Sequence, residues 1–139
     1  MPARWSHFEH GADIGIRGEA PTKDQAFEQA GLALTAVLTD PTGVRDDQPV
    51  QISCTAPDDE LLLLDWLNAL MYEMATRKMV FSRYKIHIAD GALHGTAWGE
   101  PVDILRHEPA VEVKGATCTS LRVVSDQNGG WLAECVVDV

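Results

Sequence analysis

Asp13 lies within HFEHGADIGIRG, residues 7–18, among two histidines and three glycines, where an ordinary strand carries Val, Ile and Thr. Aspartate is depleted in strands, so a carboxylate here needs either solvent or a partner. At the other end of the sequence, WLAECVVDV alternates Glu134, Val136 and Asp138 with Ala133, Cys135 and Val137. A terminal carboxylate at Val139 would follow directly on the Asp138 side chain. Two unit charges about 4 Å apart repel by roughly 1 kcal/mol in water and roughly 4 kcal/mol at a partly shielded surface. If Asp13 converges on the same place, a divalent cation relieves the crowding. All-oxygen ligation favours Ca²⁺, Mg²⁺ or Mn²⁺ over zinc.

His7, His10 and Asp13 follow one another at intervals of three residues. On a helix they would share a face suited to zinc. Gly11, Gly15 and Gly18 oppose a helix there, at roughly 1 kcal/mol each relative to Ala. In an extended chain His7 and His10 point to opposite faces, so zinc is not expected. In the strand reading, Ile14 and Ile16 share one face while Asp13, Gly15 and Arg17 share the other. The glycines would let another part of the chain come close. Other chemistry is thin: no G-x-S-x-G, Walker A or Rossmann pattern occurs. Asp65 and Glu73 could act as acid or base but read as a solvated helix face. A metal-dependent hydrolase built on the same carboxylates would lack a nucleophile or base constellation.

Two helices and a set of strands must position these groups. Thr22 followed by Gln25 forms a capping-box pattern, after which Ala26, Phe27, Ala30, Leu34, Val37 and Leu38 recur at helical spacing until Pro41. The second helix starts from PDDE, residues 57–60, with Asp58 as cap, and runs to the basic Arg77 and Lys78. Asp90-Gly91 and Asn128-Gly129-Gly130 read as hairpin turns, and QISCT as a further strand. The expected class is α+β: a two-layer sandwich with two main helices packed on a mixed, mainly antiparallel sheet.

The 139 residues suit a single domain, 1–139, with 45% hydrophobic and 23% charged residues. No apolar run approaches the roughly 20 residues of a membrane span, and no signal-peptide pattern opens the sequence, so a cytoplasmic address is expected. Cys54, Cys118 and Cys135 are widely separated and are expected to be reduced. The net charge of −10 repels phosphate backbones, so direct, tight nucleic-acid binding is not expected. A basic protein partner, or cations, would be attracted.

These motifs resemble the archease family over almost the whole chain and in the family's order. HGADIGIRGEAPTKDQAFEQAGLALTAVLTD is similar to its opening block, typically H-T-A-D-[IV]-G. LLLLDWLNALMYEMATRKMVFSRY is similar to its helix around L-x-x-D-W-L-N-E-L-L-Y. AWGEPVDILRHEPAVEVKGAT resembles its G-E-P-x-D followed by H and V-K-A-x-T, and VVDV its hydrophobic-Asp-hydrophobic ending. The resemblance implies an accessory protein rather than an enzyme. Its partner would be the GTP-dependent RNA ligase of tRNA splicing and RNA repair, whose guanylylation and repeated turnover it would promote. For some members it also implies a chaperone-like or specificity role toward a tRNA cytosine methyltransferase.

Carried over by resemblance, the cation site falls on Asp13, Asp138 and Val139, the last through a main-chain or terminal oxygen. Ca²⁺ is the expected ion, with Mg²⁺ or Mn²⁺ as alternatives. His10, Asp65, Glu100 and Lys114 match family positions and would support the site or touch the partner; for Asp65, Glu100 and Lys114 a structural role competes. The sequence departs from the family at Gly11, where Thr is usual, at Ala69, where Glu is common, and at Cys118 and Thr119, which replace an aromatic and a histidine.

Overall fold

The computed structural model describes residues 2–139. It is an α+β sandwich of two main helices on antiparallel strands, as expected, with the strands divided between two sheets rather than gathered in one. β1 (Arg4–His10) and β2 (Asp13–Ala20) form an N-terminal hairpin. They lead into α1 (Lys23–Leu38), β3 (Gln48–Thr55) and α2 (Asp59–Arg77). The hairpin of β4 (Met79–Ala89) and β5 (Ala92–Pro101) follows, then the short α3 (Ile104–His107) and β6 (Gly115–Ala116). β7 (Arg122–Ser125) and β8 (Trp131–Asp138) close the chain. One sheet runs β1-β2-β8-β6, with β7 also on β8; the other runs β3-β5-β4. Every ladder is antiparallel, so the sheets are not mixed.

The helices form where the sequence places their caps. Thr22 Oγ1 accepts from the Gln25 amide at 3.2 Å, and Asp58 Oδ1 from the Leu61 amide at 2.8 Å. Only half of the expected capping box is made, because Gln25 Oε1 is buried without a partner. Asp90 and Gly91 both take positive φ, 53° and 73°, the backbone of a two-residue hairpin turn matched to strand twist.

α1 packs on β1, β2 and β8 of one sheet and β4 of the other, and α2 packs on β3, β4 and β5 as well as on β6 and β7. Leu62, Leu63, Trp66, Leu67, Leu70 and Met74 make the buried stripe of α2. Trp66 Nε1 donates to the Phe27 carbonyl at 3.1 Å, and its ring meets Tyr84 edge-on at 5.8 Å between centroids. The buried Thr35 hydroxyl bonds both Tyr84 (2.7 Å) and the Phe81 carbonyl (2.9 Å), so these core polar atoms are paired.

Candidate functional site

The β2 register fixes where the candidate carboxylates lie. In the hairpin His10 faces Asp13, and in the β2–β8 ladder Ile14 faces Val137. Continued one step, that ladder sets Asp13 beside Asp138, the last residue of β8. Gly115 of β6 pairs with Asp138 on the other side, where the Lys114 amide donates to the Asp138 carbonyl at 2.8 Å. One row across four strands therefore reads His10, Asp13, Asp138, Gly115. Strand pleating puts His10, Asp13 and Asp138 on the same face. That face is the outer one: Ile16, Cys135 and Val137, of opposite parity, are fully buried in the core.

The rows behind this tip are closely packed and ion-paired. Phe8 lies over Gly15, and a Cβ there would stand 2.3 Å from the ring. Next come Arg17, Glu134 and Arg122, in register across β2, β8 and β7. Arg17 Nε meets Glu134 Oε2 at 2.7 Å, and Arg122 holds the other oxygen at 2.9 and 3.1 Å. Arg17 also stacks over Phe8, 4.8 Å from the ring centroid. Glu134, the other acidic side chain of the C-terminal alternation, is thus buried and neutralised.

Asp13 and Asp138 differ. Asp13 is half-buried and Asp138 exposed, and among the described residues neither carboxylate accepts a hydrogen bond or joins an ion pair. Cα atoms opposite one another in antiparallel strands stand about 5 Å apart. Carboxylates brought to a similar spacing would repel by roughly 1 kcal/mol in water and roughly 3 kcal/mol at a partly shielded surface. Val139 follows directly, half-buried against the core. Two carboxylates and a main-chain oxygen are hard ligands that fit Ca²⁺ or Mg²⁺, with water completing the shell. Among the described residues no three His, Cys, Asp or Glu side chains gather as a metal cluster, so a cation here would use the backbone as well.

The remaining candidates separate. His10 lies in the tip row, exposed, while His7 is on the inner face, its Nε2 2.8 Å from the Ala33 carbonyl. The pair does not converge. Lys114 reaches the tip through its backbone. Asp65 is exposed on α2 near Cys54; burial, with the Asp65 charge adding to it, pushes that thiol up to about 11. One turn on, Asn68 Oδ1 accepts the Ala116 amide at 3.0 Å and ties α2 to the β6 edge.

Glu100 is elsewhere and structurally committed. Its carboxylate meets the Arg106 guanidinium, accepts the Arg45 amide at 2.6 Å and lies 3.2 Å from His107 Nε2. Arg106, followed by these other donors against the cost of burial, holds Glu100 down at about 2. The sequence reading missed the arginine clamp on Glu134 and the Phe8–Gly15 contact. The one signal for the clamp was Arg17 on the Asp13 face.

Residues 5–139 match the Archease protein family. The chain belongs to the archease family. It is 36% identical to protein archease of Pyrococcus furiosus over 98% of this chain and 99% of that one. For protein archease of Thermococcus gammatolerans the figure is 34%, over the same shares. The solution structure of Methanobacterium thermoautotrophicum protein 1598 matches with a TM-score of 0.83 at 32% identity, over 97% of this chain and 98% of that one. An archease from Thermotoga maritima, described as a possible chaperone, matches with a TM-score of 0.59 at 16% identity, over 95% and 94%. That last likeness carries the fold alone.

Proposed function

We propose that this archease is an accessory factor that activates a GTP-dependent RNA ligase of tRNA splicing and RNA repair, working through a divalent cation held at its acidic tip. The observation that carries this reading is the position of Asp13 and Asp138 one step past the Ile14–Val137 pair on the outer face, where among the described residues neither carboxylate joins an ion pair. In this reading the two carboxylates and an oxygen of Val139 hold Ca²⁺, or Mg²⁺ or Mn²⁺ in its place. His10 borders the site, and the Lys114 amide holds the end of β8 in position.

An acidic tip suits a helper that need not grip RNA. The net charge of −10 draws it toward a basic, cation-bearing cleft and away from phosphate chains. There it would adjust metal or nucleotide placement during guanylylation and speed turnover. The chemistry stays on the ligase, so no catalytic residue is assigned here.

The test is multiple-turnover ligation of a 3′-phosphate or 2′,3′-cyclic phosphate end to a 5′-hydroxyl end, at substoichiometric ligase. Wild-type protein should raise turnover, and Asp13→Asn or Asp138→Asn should abolish the gain while the domain stays folded. Stimulation by both variants at the wild-type level would overturn the tip mechanism. A chaperone-like action on a tRNA methyltransferase would instead survive loss of the acid pair.

A further inference from the structure

Ala116 pairs with Val137 and Arg122 with Glu134, so β6 and β7 both lie along β8. Between those two pairs β8 contributes Val136 and Cys135, whereas the facing chain contributes residues 117–121. The excess is gathered into a turn built around Cys118. The Thr117 amide donates to the Val136 carbonyl at 3.0 Å, and the Thr117 hydroxyl to the same oxygen at 2.9 Å. The Val136 amide donates to the Thr119 carbonyl at 3.1 Å, and the Leu121 amide to the Cys118 carbonyl at 3.3 Å. Ser120 turns the chain back toward β7 in the left-handed region, with φ 53°.

Cys118 is thus fastened through both its neighbours to Val136, the residue next to Cys135. Facing residues of adjacent antiparallel strands lie within the Cα separation that a disulfide spans, roughly 4.4–6.8 Å. The two thiols are also electrically coupled. Burial raises the Cys135 thiol most, the Cys118 charge comes next, and Glu134, the adjacent residue of β8, adds less than either. Their settings differ: Cys118 is exposed and Cys135 fully buried. Cys135 packs in the core as a small apolar side chain does. Cys118, on an exposed turn, has no such packing role and is open to a solute oxidant.

We infer that Cys118 and Cys135 form a redox-active pair: a hydroperoxide oxidises Cys118, and Cys135 converts the product to an intramolecular disulfide. The Cys118 thiolate attacks one peroxide oxygen, an S–O bond forms as the O–O bond breaks, and water leaves, or an alcohol if the peroxide is organic. Cys135 then attacks the sulfenic sulfur. The S–S bond forms, the S–O bond breaks, and the hydroxyl leaves as water with the proton that Cys135 gives up. Two thiols lose two electrons in all, and one hydroperoxide gains them. Cys135 is buried, so the second step waits on a local opening of the turn at residues 118–121. A dithiol reverses it. The cross-link fastens β8, which ends at Asp138, to that turn.

The experiment treats the full-length protein, wild type or Cys118→Ser, with hydrogen peroxide in slight excess, blocks the remaining thiols with iodoacetamide and maps peptides by mass spectrometry without reduction. In wild type the Cys118 and Cys135 peptides should appear joined, lighter than their sum by two hydrogens, in a protein that still runs as a single chain. Dithiothreitol should separate them. Cys118→Ser changes an exposed side chain and should melt with the wild type, while its Cys135 should lose its free thiol about tenfold more slowly. Sulfinic acid at Cys118 with Cys135 left free would overturn the pair. So would a Cys118–Cys118 link between two chains, or equal loss of free Cys135 in both proteins. No ligase is present in this assay, so its outcome leaves the ligase reading untouched.

Discussion

Asp13 and Asp138 stand side by side at the ends of β2 and β8, one step past the Ile14–Val137 pair, and among the described residues neither carboxylate joins an ion pair. Without an ion between them, two like charges placed this way would oppose the strand pairing. In chelator, Asp138→Asn should therefore raise thermal stability, by roughly 1 kcal/mol from the relieved repulsion. Saturating Ca²⁺ should reverse the order, since an ion at one hundred times its dissociation constant adds about 2.7 kcal/mol to the wild type. Melting curves of both proteins in chelator and in Ca²⁺ check this crossing. Parallel shifts in the two proteins would count against the site.

Gly18 faces α1 at very short range: a Cβ there would stand 2.2 Å from the Ala26 carbonyl oxygen and 2.5 Å from the Ala30 amide nitrogen. Both are backbone atoms, so relief requires helix and sheet to separate. Gly18→Ala should cost about 3 kcal/mol, at the upper end for overpacking. Gly43→Ala, where a Cβ meets nothing within 4 Å, serves as the neutral control. Urea denaturation of the two variants measures the difference.

Much of this was legible because the signals were local. Thr22 and Asp58 announce their helices by side-chain capping, and Asp90-Gly91 announces its hairpin by turn chemistry. The alternation of Ile14 and Ile16 against Asp13 and Arg17 gives the correct faces, because the side-chain period of a strand is two. The β1–β2 turn, Gly11-Ala12, lacks the usual pair of turn residues, so β1 was not marked out. The division into two sheets was hidden for a different reason: which strand β8 joins depends on long-range pairing, which short motifs do not encode. The same holds for Glu134. Its alternation with Asp138 put it on the same face as the tip, and only the register shows it opposite Arg17 and Arg122.

Glu100 gives the fold an acid limit. Its carboxyl is held at about 2 against an ordinary value of 4.5, chiefly by Arg106. A depressed folded-state value means the stabilisation is complete above the unfolded value and is lost as pH falls from about 4.5 toward 2. Glu100→Gln should flatten the pH dependence of stability in that window and speed amide exchange of residues 103–108 at neutral pH. Stability measured from pH 6 to pH 2 for both proteins checks the sign; an unchanged slope would remove Glu100 from its structural role.

Cys135 and Asp138 share β8, which links thiol chemistry to the proposed cation site. The described cysteines are unpaired, with Cys118 exposed and Cys135 buried. Burial, with smaller additions from Cys118 and Glu134, pushes the Cys135 thiol up to about 12, and Cys54 is raised to about 11. The thiolate is the reactive form, so at pH 8 a disulfide reagent should modify Cys118 first, Cys54 slowly and Cys135 only when β8 opens. An ion shared by Asp13 and Asp138 ties β8 to β2 and should slow Cys135 labelling further. Residue-resolved labelling with and without Ca²⁺ measures this. The slowing should vanish in Asp13→Asn, and its persistence there would place the ion somewhere other than between these two strands.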